Sequence, residues 1–274
     1  MKNNIIKAIS FGLVTVFSVA VLVGCGGTAA RDEKVIKVGA TPSPHAEILK
    51  EIEDALEAKG YILKIVEYND YVLPNTATDE GELDANFFQH GPYLENFNTE
   101  KGTKLVSVAD VHFEPLGLYS TSVSNVSELR DGATIAVPND ATNEARALLL
   151  LEANGLITLK EGTGINATVK DIDSNLLNLR IKEIEAAQLT RSLQDVDAAV
   201  INGNYAISGG LKVKDAIVLE ESSSIAAETY ANVLVVKEGH ENDEKIKVLI
   251  DVLLSDEVRN FIEENYSGAV VPVF

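Results

Sequence analysis

The sequence predicts an α/β protein built as two lobes with a cleft between them, and three observations carry that expectation. From Lys34 onward, short β-branched runs alternate with helical patterns, which is the mark of layered α/β architecture. A strand, a Pro-containing turn and a helix start occur in Val35 to Pro42 (VIKVGATP) and again in Thr134 to Ala141 (TIAVPNDA), as if each opened one lobe. A strand pattern at Asn232 to Val236 comes late and leaves a helical stretch still to be packed, which a chain that crosses to a second lobe and returns would explain. The paired openings read equally as two ordinary βα units. Ligands of open α/β sheets collect at the carboxyl ends of the strands, so two facing lobes imply a ligand cleft.

The predicted strands are Val35 to Gly39, Ile62 to Val66, Lys104 to Val108, Val111 to Tyr119, Thr134 to Val137, Ala198 to Ile201 and Asn232 to Val236. Amphipathic helices fit His45 to Lys59, Asn143 to Ala153, Asp243 to Leu254 and Glu257 to Tyr266. With 274 residues, 46% of them hydrophobic, the chain has material for two real cores. Aromatic residues make up only 6% and Trp is absent, so any ring-lined site must draw on 8 Tyr and 8 Phe. The formal charge of −19 argues against nucleic acid and anionic lipid as partners.

The first 24 residues read as an export signal: Lys2 and Lys7 give a positive start, and Ala8 to Gly24 is uncharged and mostly apolar. That run leads to the only cysteine, Cys25, and Leu22 to Cys25 resembles a bacterial lipobox. Small residues there admit a peptidase to the backbone, and the thiol becomes the attachment point for diacylglycerol, where two or more acyl chains hold a protein firmly. A plain secretory signal or a short membrane anchor are the alternatives, although the run is at the low edge of spanning length and no basic stop-transfer cluster follows it. A lone cysteine has no disulfide partner within the monomer. The organisation expected is therefore a signal peptide at 1–24, a lipidated tether at 25–33, a first lobe at 34–115, a second at 116–230 and a return to the first at 231–274.

Four segments concentrate unusual side chains. Tyr68 to Asn75 is a loop with two tyrosines, Tyr68 and Tyr71. In Asp84 to Leu94, Phe88, His90 and Tyr93 can all point toward one space, with Pro92 placed to start a helix at Tyr93 to Asn98; a core cluster around a satisfied histidine is the plain alternative. In Val137 to Leu148, Asp140 or Thr142 caps a helix that carries Arg146 in its first turns, while Leu148, Leu149 and Leu151 face the core. A cation near a helix N-terminus is unfavourable unless an anion joins it, so Arg146 is either a carboxylate receptor or a surface arginine paired with Glu144 or another acid. Ala198 to Ala206 is a buried-type strand ending in amides, and Asn204 at its end, with Asn232 in the returning segment, could bind both charges of a zwitterion or simply form turns.

The segments YVLPN (71–75), GELDANFFQHGPYL (81–94), EPLGLYS (114–120), AVPNDATNEARALLLL (136–151) and INGNYA (201–206) resemble the methionine-binding lipoprotein family in the same order along nearly all of the mature chain. The resemblance implies a type II periplasmic-binding-protein fold that serves a methionine ABC importer, with permease and ATPase subunits as partners and a lipid anchor on the outer face of the membrane. It places Arg146 on the ligand carboxylate, Asn204 and Asn232 on its polar end, and Tyr71, Phe88, His90 and Tyr93 around the thioether of methionine or a related amino acid. Ala141 stands where the family often has Pro, and Ala145 where it has Gly before the arginine.

Other functions find less support. The histidines show no HExxH spacing, there is no G-x-S-x-G elbow and no phosphate loop, so neither an enzyme nor a cofactor is expected. The rival is a zinc receptor with His45, His90 and His112 as ligands, which leaves Arg146 without a role. A structural lipoprotein with an empty cleft is the third class.

Overall fold

The computed structural model describes residues 34–221 and 228–274; the expected export signal and Cys25 lie outside them. β1 (Val35–Ala40) runs through a turn into α1 (Glu47–Glu51) and α2 (Glu53–Ala58), and then β2 (Ile62–Glu67). α3 (Leu73–Asp79), β3 (Ala85–His90), α4 (Gly91–Lys101) and β4 (Leu105–Phe113) complete the first pass. The chain then makes β5 (Gly117–Tyr119), β6 (Thr134–Pro138), α5 (Ala141–Ala153), the small strands β7 (Thr158–Leu159) and β8 (Ile172–Ser174), and β9 (Arg180–Ile184). α6 (Leu189–Ser192), β10 (Ala198–Ile201), α7 (Gly203–Ser208) and β11 (Ala216–Leu219) follow. β12 (Asn232–Lys237), α8 (Glu244–Leu253), α9 (Asp256–Tyr266) and β13 (Val271–Pro272) end the chain.

Two sheets hold these strands. One has the order β13-β4-β12-β3-β1-β2 and the other β11-β5-β10-β6-β9. The late strand β12 enters the first sheet antiparallel between β3 and β4, as a returning chain must. Each sheet has its own core: Ile36, Val38, Phe87, Leu234 and Val236 pack with Ile48 and Leu49 in the first, and Leu118, Ile135, Val137 and Val200 pack with Leu148 and Leu151 in the second. Each such side chain contributes roughly 1.5–3 kcal/mol on burial, so each sheet is held by an apolar interior of its own. On α5 the core positions are Leu148, Leu150 and Leu151, whereas Leu149 is half-buried, one position off the face expected for it.

The structure departs from the predicted elements for identifiable reasons. Val111 to Tyr119 is not one strand: β4 ends at Phe113, and β5 begins in the other sheet at Gly117. Pro115, without an N–H, cannot continue the ladder, and Glu114 to Leu116 becomes a crossing between lobes. The helix expected over His45 to Lys59 begins within a π-helical turn at Pro42–Ala46 that runs into α1, and it breaks at Ile52, whose φ/ψ of −96°/2° leaves the helical region. β3 was not expected because Asn86, Gln89 and His90 do not look like a buried strand, yet all six of its residues are buried. Its amides are satisfied sideways by α3: Asn86 Nδ2 donates to Thr78 Oγ1 at 2.8 Å, and Asn75 Nδ2 donates to Gln89 Oε1 at 2.8 Å.

Candidate functional site

The ends of β3 and β10, the starts of α5 and α7, and the crossing at Glu114 close on one cavity between the lobes, with about 330 Å³ of atom-free space including its mouth. Tyr71, Phe88, His90, Tyr93, Arg146, Asn204 and Asn232 all border it. Sequence reasoning did not single out Gln89, Glu114, Asn143, Asn202 and Gly203, which border it too. The signal for Asn143 and Asn202 was present, since both lie inside the segments that carried the resemblance.

One end of the cavity is aromatic. The Tyr71 ring centroid lies 5.8 Å from Phe88, 5.6 Å from Tyr93 and 5.0 Å from Tyr205, distances typical of attractive edge and tilted ring pairs. The Tyr93 hydroxyl donates to the Tyr71 carbonyl at 3.0 Å, which fixes the loop that carries Tyr71. Phe88 also packs with Leu94, Phe97, Leu105, Val233 and Val235, so cavity wall and aromatic core are made of the same residues. Tyr71 itself spans the cleft, donating from its hydroxyl to Asn204 Oδ1 at 2.6 Å.

The other end is polar, and its hydrogen-bond directions can be followed atom by atom. Asp140, the N-cap of α5, accepts from the Asn143 backbone N–H at 3.0 Å and from Asn143 Nδ2 at 2.9 Å. The Asn143 Oδ1 therefore faces away, where it accepts from Asn202 Nδ2 at 2.7 Å. It also pairs with His90 Nε2 at 3.1 Å. His90 Nδ1 accepts from the Tyr93 backbone N–H, so the ring proton resides on Nε2. Burial pushes the His90 pKa down to about 3 and keeps the ring neutral. Two buried atoms at this cavity have no hydrogen-bond partner among the described residues: the acceptor Asn202 Oδ1 and the donor Asn204 Nδ2. Such atoms cost roughly 1–3 kcal/mol each if nothing meets them.

Asn204 is not at a strand end, as the sequence suggested. β10 stops at Ile201, Asn202 takes the end position, and Asn204 lies in the first turn of α7. Gly203 between them is required by close approach, because a Cβ there would stand 2.7 Å from the Glu114 Cβ. Burial raises the Glu114 carboxyl above the ordinary carboxylate pKa, offset in part by His45, the Asn204 backbone N–H and Arg146.

Glu114 also gathers two histidines. His112 Nε2 lies 2.8 Å and His45 Nε2 3.4 Å from Glu114 Oε1. His45 Nε2 is in addition 3.0 Å from Asn232 Oδ1, and Thr41 Oγ1 is 2.7 Å from His45 Nδ1. With the Asn232 oxygen turned to His45, its amide nitrogen points the other way as a donor. Burial holds His45 at about 4 and His112 at about 3, so both rings are neutral. Among the described residues, the histidine and acid group close enough to hold a metal is His45, His112 and Glu114, all buried, and not the three-histidine set with His90. These donor atoms are already engaged with one another as neutral imidazoles hydrogen-bonded to a carboxylate.

Arg146 is deeply buried and its fork is largely engaged. Nε donates to Glu220 Oε1 at 3.2 Å, Nη2 donates to Glu220 Oε2 at 2.5 Å and to the Glu114 carbonyl at 2.9 Å. Its guanidinium carbon lies 4.3 Å from the Tyr230 ring centroid. Glu220 Oε2 also accepts from the Leu116 backbone N–H at 3.1 Å, so Arg146 and Glu220 together pin the crossing at Glu114 to Leu116. Arg146 is thus paired with an acid, though not Glu144, whose carboxylate accepts from the Val169 N–H instead. The α5 N–H of Asn143 is occupied by Asp140, so Arg146 meets the cavity from the helix flank, apart from the helix N-terminus.

A pair of sheets with separate cores, a chain that crosses at Glu114 and returns as β12, and a cavity closed from both sides define a two-lobed substrate-binding protein. The sequence profile of the family described as NlpA lipoprotein matches residues 36–274. The methionine-binding lipoprotein MetQ of Bacillus subtilis is 42% identical over 274 residues, which covers 97% of this chain and 99% of the relative. A nutrient-binding protein of Burkholderia cenocepacia, solved bound to methionine, is 45% identical with a TM-score of 0.83, covering 87% of this chain and all of the other. An ABC transporter periplasmic substrate-binding protein of Coxiella burnetii is 42% identical with a TM-score of 0.82, over 87% of this chain and all of the other. The chain belongs to the NlpA lipoprotein family, whose members are substrate-binding proteins and not enzymes. No helix among the described residues is long and apolar enough to cross a membrane.

Proposed function

We propose that the protein captures methionine, or a closely related amino acid, between its lobes and delivers it to an ABC importer from a lipid anchor at Cys25. The observation that carries this reading is a buried, unmatched acceptor and a buried, unmatched donor, Asn202 Oδ1 and Asn204 Nδ2, at one cavity beside a nest of rings. A zwitterion supplies the missing partners: its ammonium suits Asn202 Oδ1 and the Glu114 carboxylate, and its carboxylate suits Asn204 Nδ2, the Asn232 amide nitrogen and the Nη1 of Arg146. Tyr71, Phe88, His90 and Tyr93 then enclose an apolar side chain, and sulfur against ring edges is a favourable contact.

The mode of action is hinge closure. Tyr71, Phe88, His90 and Tyr93 come from the first lobe and Asn143, Arg146, Asn202 and Asn204 from the second, so a ligand touching both favours the closed state, which the importer recognises. The methionine-bound relative and the ABC transporter relative support this reading. A zinc receptor is the second reading, favoured only by the His45, His112 and Glu114 cluster. Calorimetry on protein unfolded, stripped of ligand and metal, and refolded separates the two: methionine should bind with one site, whereas binding of zinc alone would overturn the proposal.

A further inference from the structure

Asp140 does not border the cavity, yet two hydrogen bonds link it through Asn143 to Asn202, the amide whose oxygen faces the proposed ammonium. We propose that Asp140 is a positioning residue that sets the polarity of the amide chain Asn143–Asn202 and so makes the cavity selective for a free amine. The inference rests on the zwitterion reading above and deepens it.

A carboxylate only accepts, so both the Asn143 N–H and the Asn143 Nδ2 must point at the single oxygen Asp140 Oδ1, at 3.0 and 2.9 Å. Asn143 then has only its oxygen to offer in the other direction, and Asn202 must answer with Nδ2, at 2.7 Å. What is left at the cavity is Asn202 Oδ1, buried and without a partner among the described residues. An acceptor there attracts an ammonium and repels a carboxylate. Were the first member of the chain a donor, both amides would turn over and the cavity would present Nδ2, which inverts that preference.

His90 holds Asn143 in the same sense through Nε2, but from the opposite lobe. In the open state that contact is lost, while Asp140, Asn143 and Asn202 travel together in the second lobe. Asp140 therefore orients the acceptor before the ligand arrives, so the closing step does not have to turn two amides. Pre-orientation of this kind raises affinity by lowering the ordering cost of binding.

The test uses calorimetry with L-methionine and with 4-(methylthio)butanoate, which keeps the carboxylate and thioether but lacks the amine. Asp140→Ser retains an oxygen that can cap α5 but is too short to hold Asn143 Nδ2 as well. Asp140→Thr serves the same end should the serine variant lower the unfolding temperature. Asp140→Asn keeps an Oδ1 that accepts both bonds. The serine variant should lose roughly tenfold or more in methionine affinity, the size of a charge-assisted hydrogen bond, and less than about threefold for the amine-free acid. The asparagine variant should behave as the wild type. Equal losses for both ligands, or no loss for either, overturn the proposal while leaving the binding reading intact. Wild-type protein that binds no methionine overturns both.

Discussion

The His90 imidazole and the Asn143 amide meet across the cleft, Nε2 to Oδ1 at 3.1 Å, and each fixes the other's orientation. This bond requires a neutral ring with its proton on Nε2, since Nδ1 is already an acceptor for the Tyr93 N–H. His90 is one of three buried histidines with pKa values depressed by burial, to about 3 for His90 and His112 and about 4 for His45.

These shifts give stability a definite pH dependence. A histidine near 6.5 when unfolded and far lower when folded binds its proton preferentially in the unfolded chain, so its contribution is complete above pH 6.5 and is lost as pH falls toward the folded value. Each ring contributes a slope of up to about 1.4 kcal/mol per pH unit in that window. Glu114, raised by burial, acts in the opposite sense and trims the total. The urea midpoint should therefore be lower at pH 5.0 than at pH 7.5; an equal or higher midpoint at pH 5.0 would contradict neutral buried histidines.

The buried Arg146 and the part-buried Glu220 form an ion pair that pins the crossing at Glu114 to Leu116, so Arg146 has a structural duty besides any ligand contact. Arg146→Ala should cost about 3 kcal/mol of stability, because the part-buried Glu220 carboxylate loses its partner. Adding Glu220→Gln should restore most of that stability without restoring methionine binding. Recovery of binding in the double variant would show that Arg146 does not touch the ligand.

Tyr71→Phe removes the 2.6 Å bond to Asn204 Oδ1 across the lobes and little else. Methionine affinity should fall about fivefold, the worth of about 1 kcal/mol, with the unfolding midpoint of ligand-free protein unchanged. A lower ligand-free midpoint with unchanged affinity would assign the hydroxyl to folding.

The aromatic residues of the site were legible in the sequence because rings are rare in this chain, and Phe88, His90 and Tyr93 share one short segment. Phe88 also shows why the functional and core readings could not be separated: it borders the cavity and packs on Phe97 and Val235. What escaped the sequence was the polar machinery. Asn143 and Asn202 carry no side-chain signature of their own; their meaning depends on hydrogen bonds spanning 59 residues. β3 escaped because its amides are satisfied by α3, a tertiary arrangement that no alternation pattern announces. Glu114 looked like one acid among 42 acidic residues until the crossing turned it inward.

Phe88→Ala should lose both properties together, destabilising the ligand-free protein by roughly 3–5 kcal/mol and weakening methionine binding. Affinity lost with the unfolding midpoint intact would mean the ring serves the ligand alone.

Native mass spectrometry of the mature protein incubated with excess L-methionine bears most directly on the cavity's complementarity to one zwitterion. The expected spectrum is a single adduct with the mass of one methionine, displaced by no divalent ion. A spectrum of unliganded protein that acquires only zinc would contradict the account.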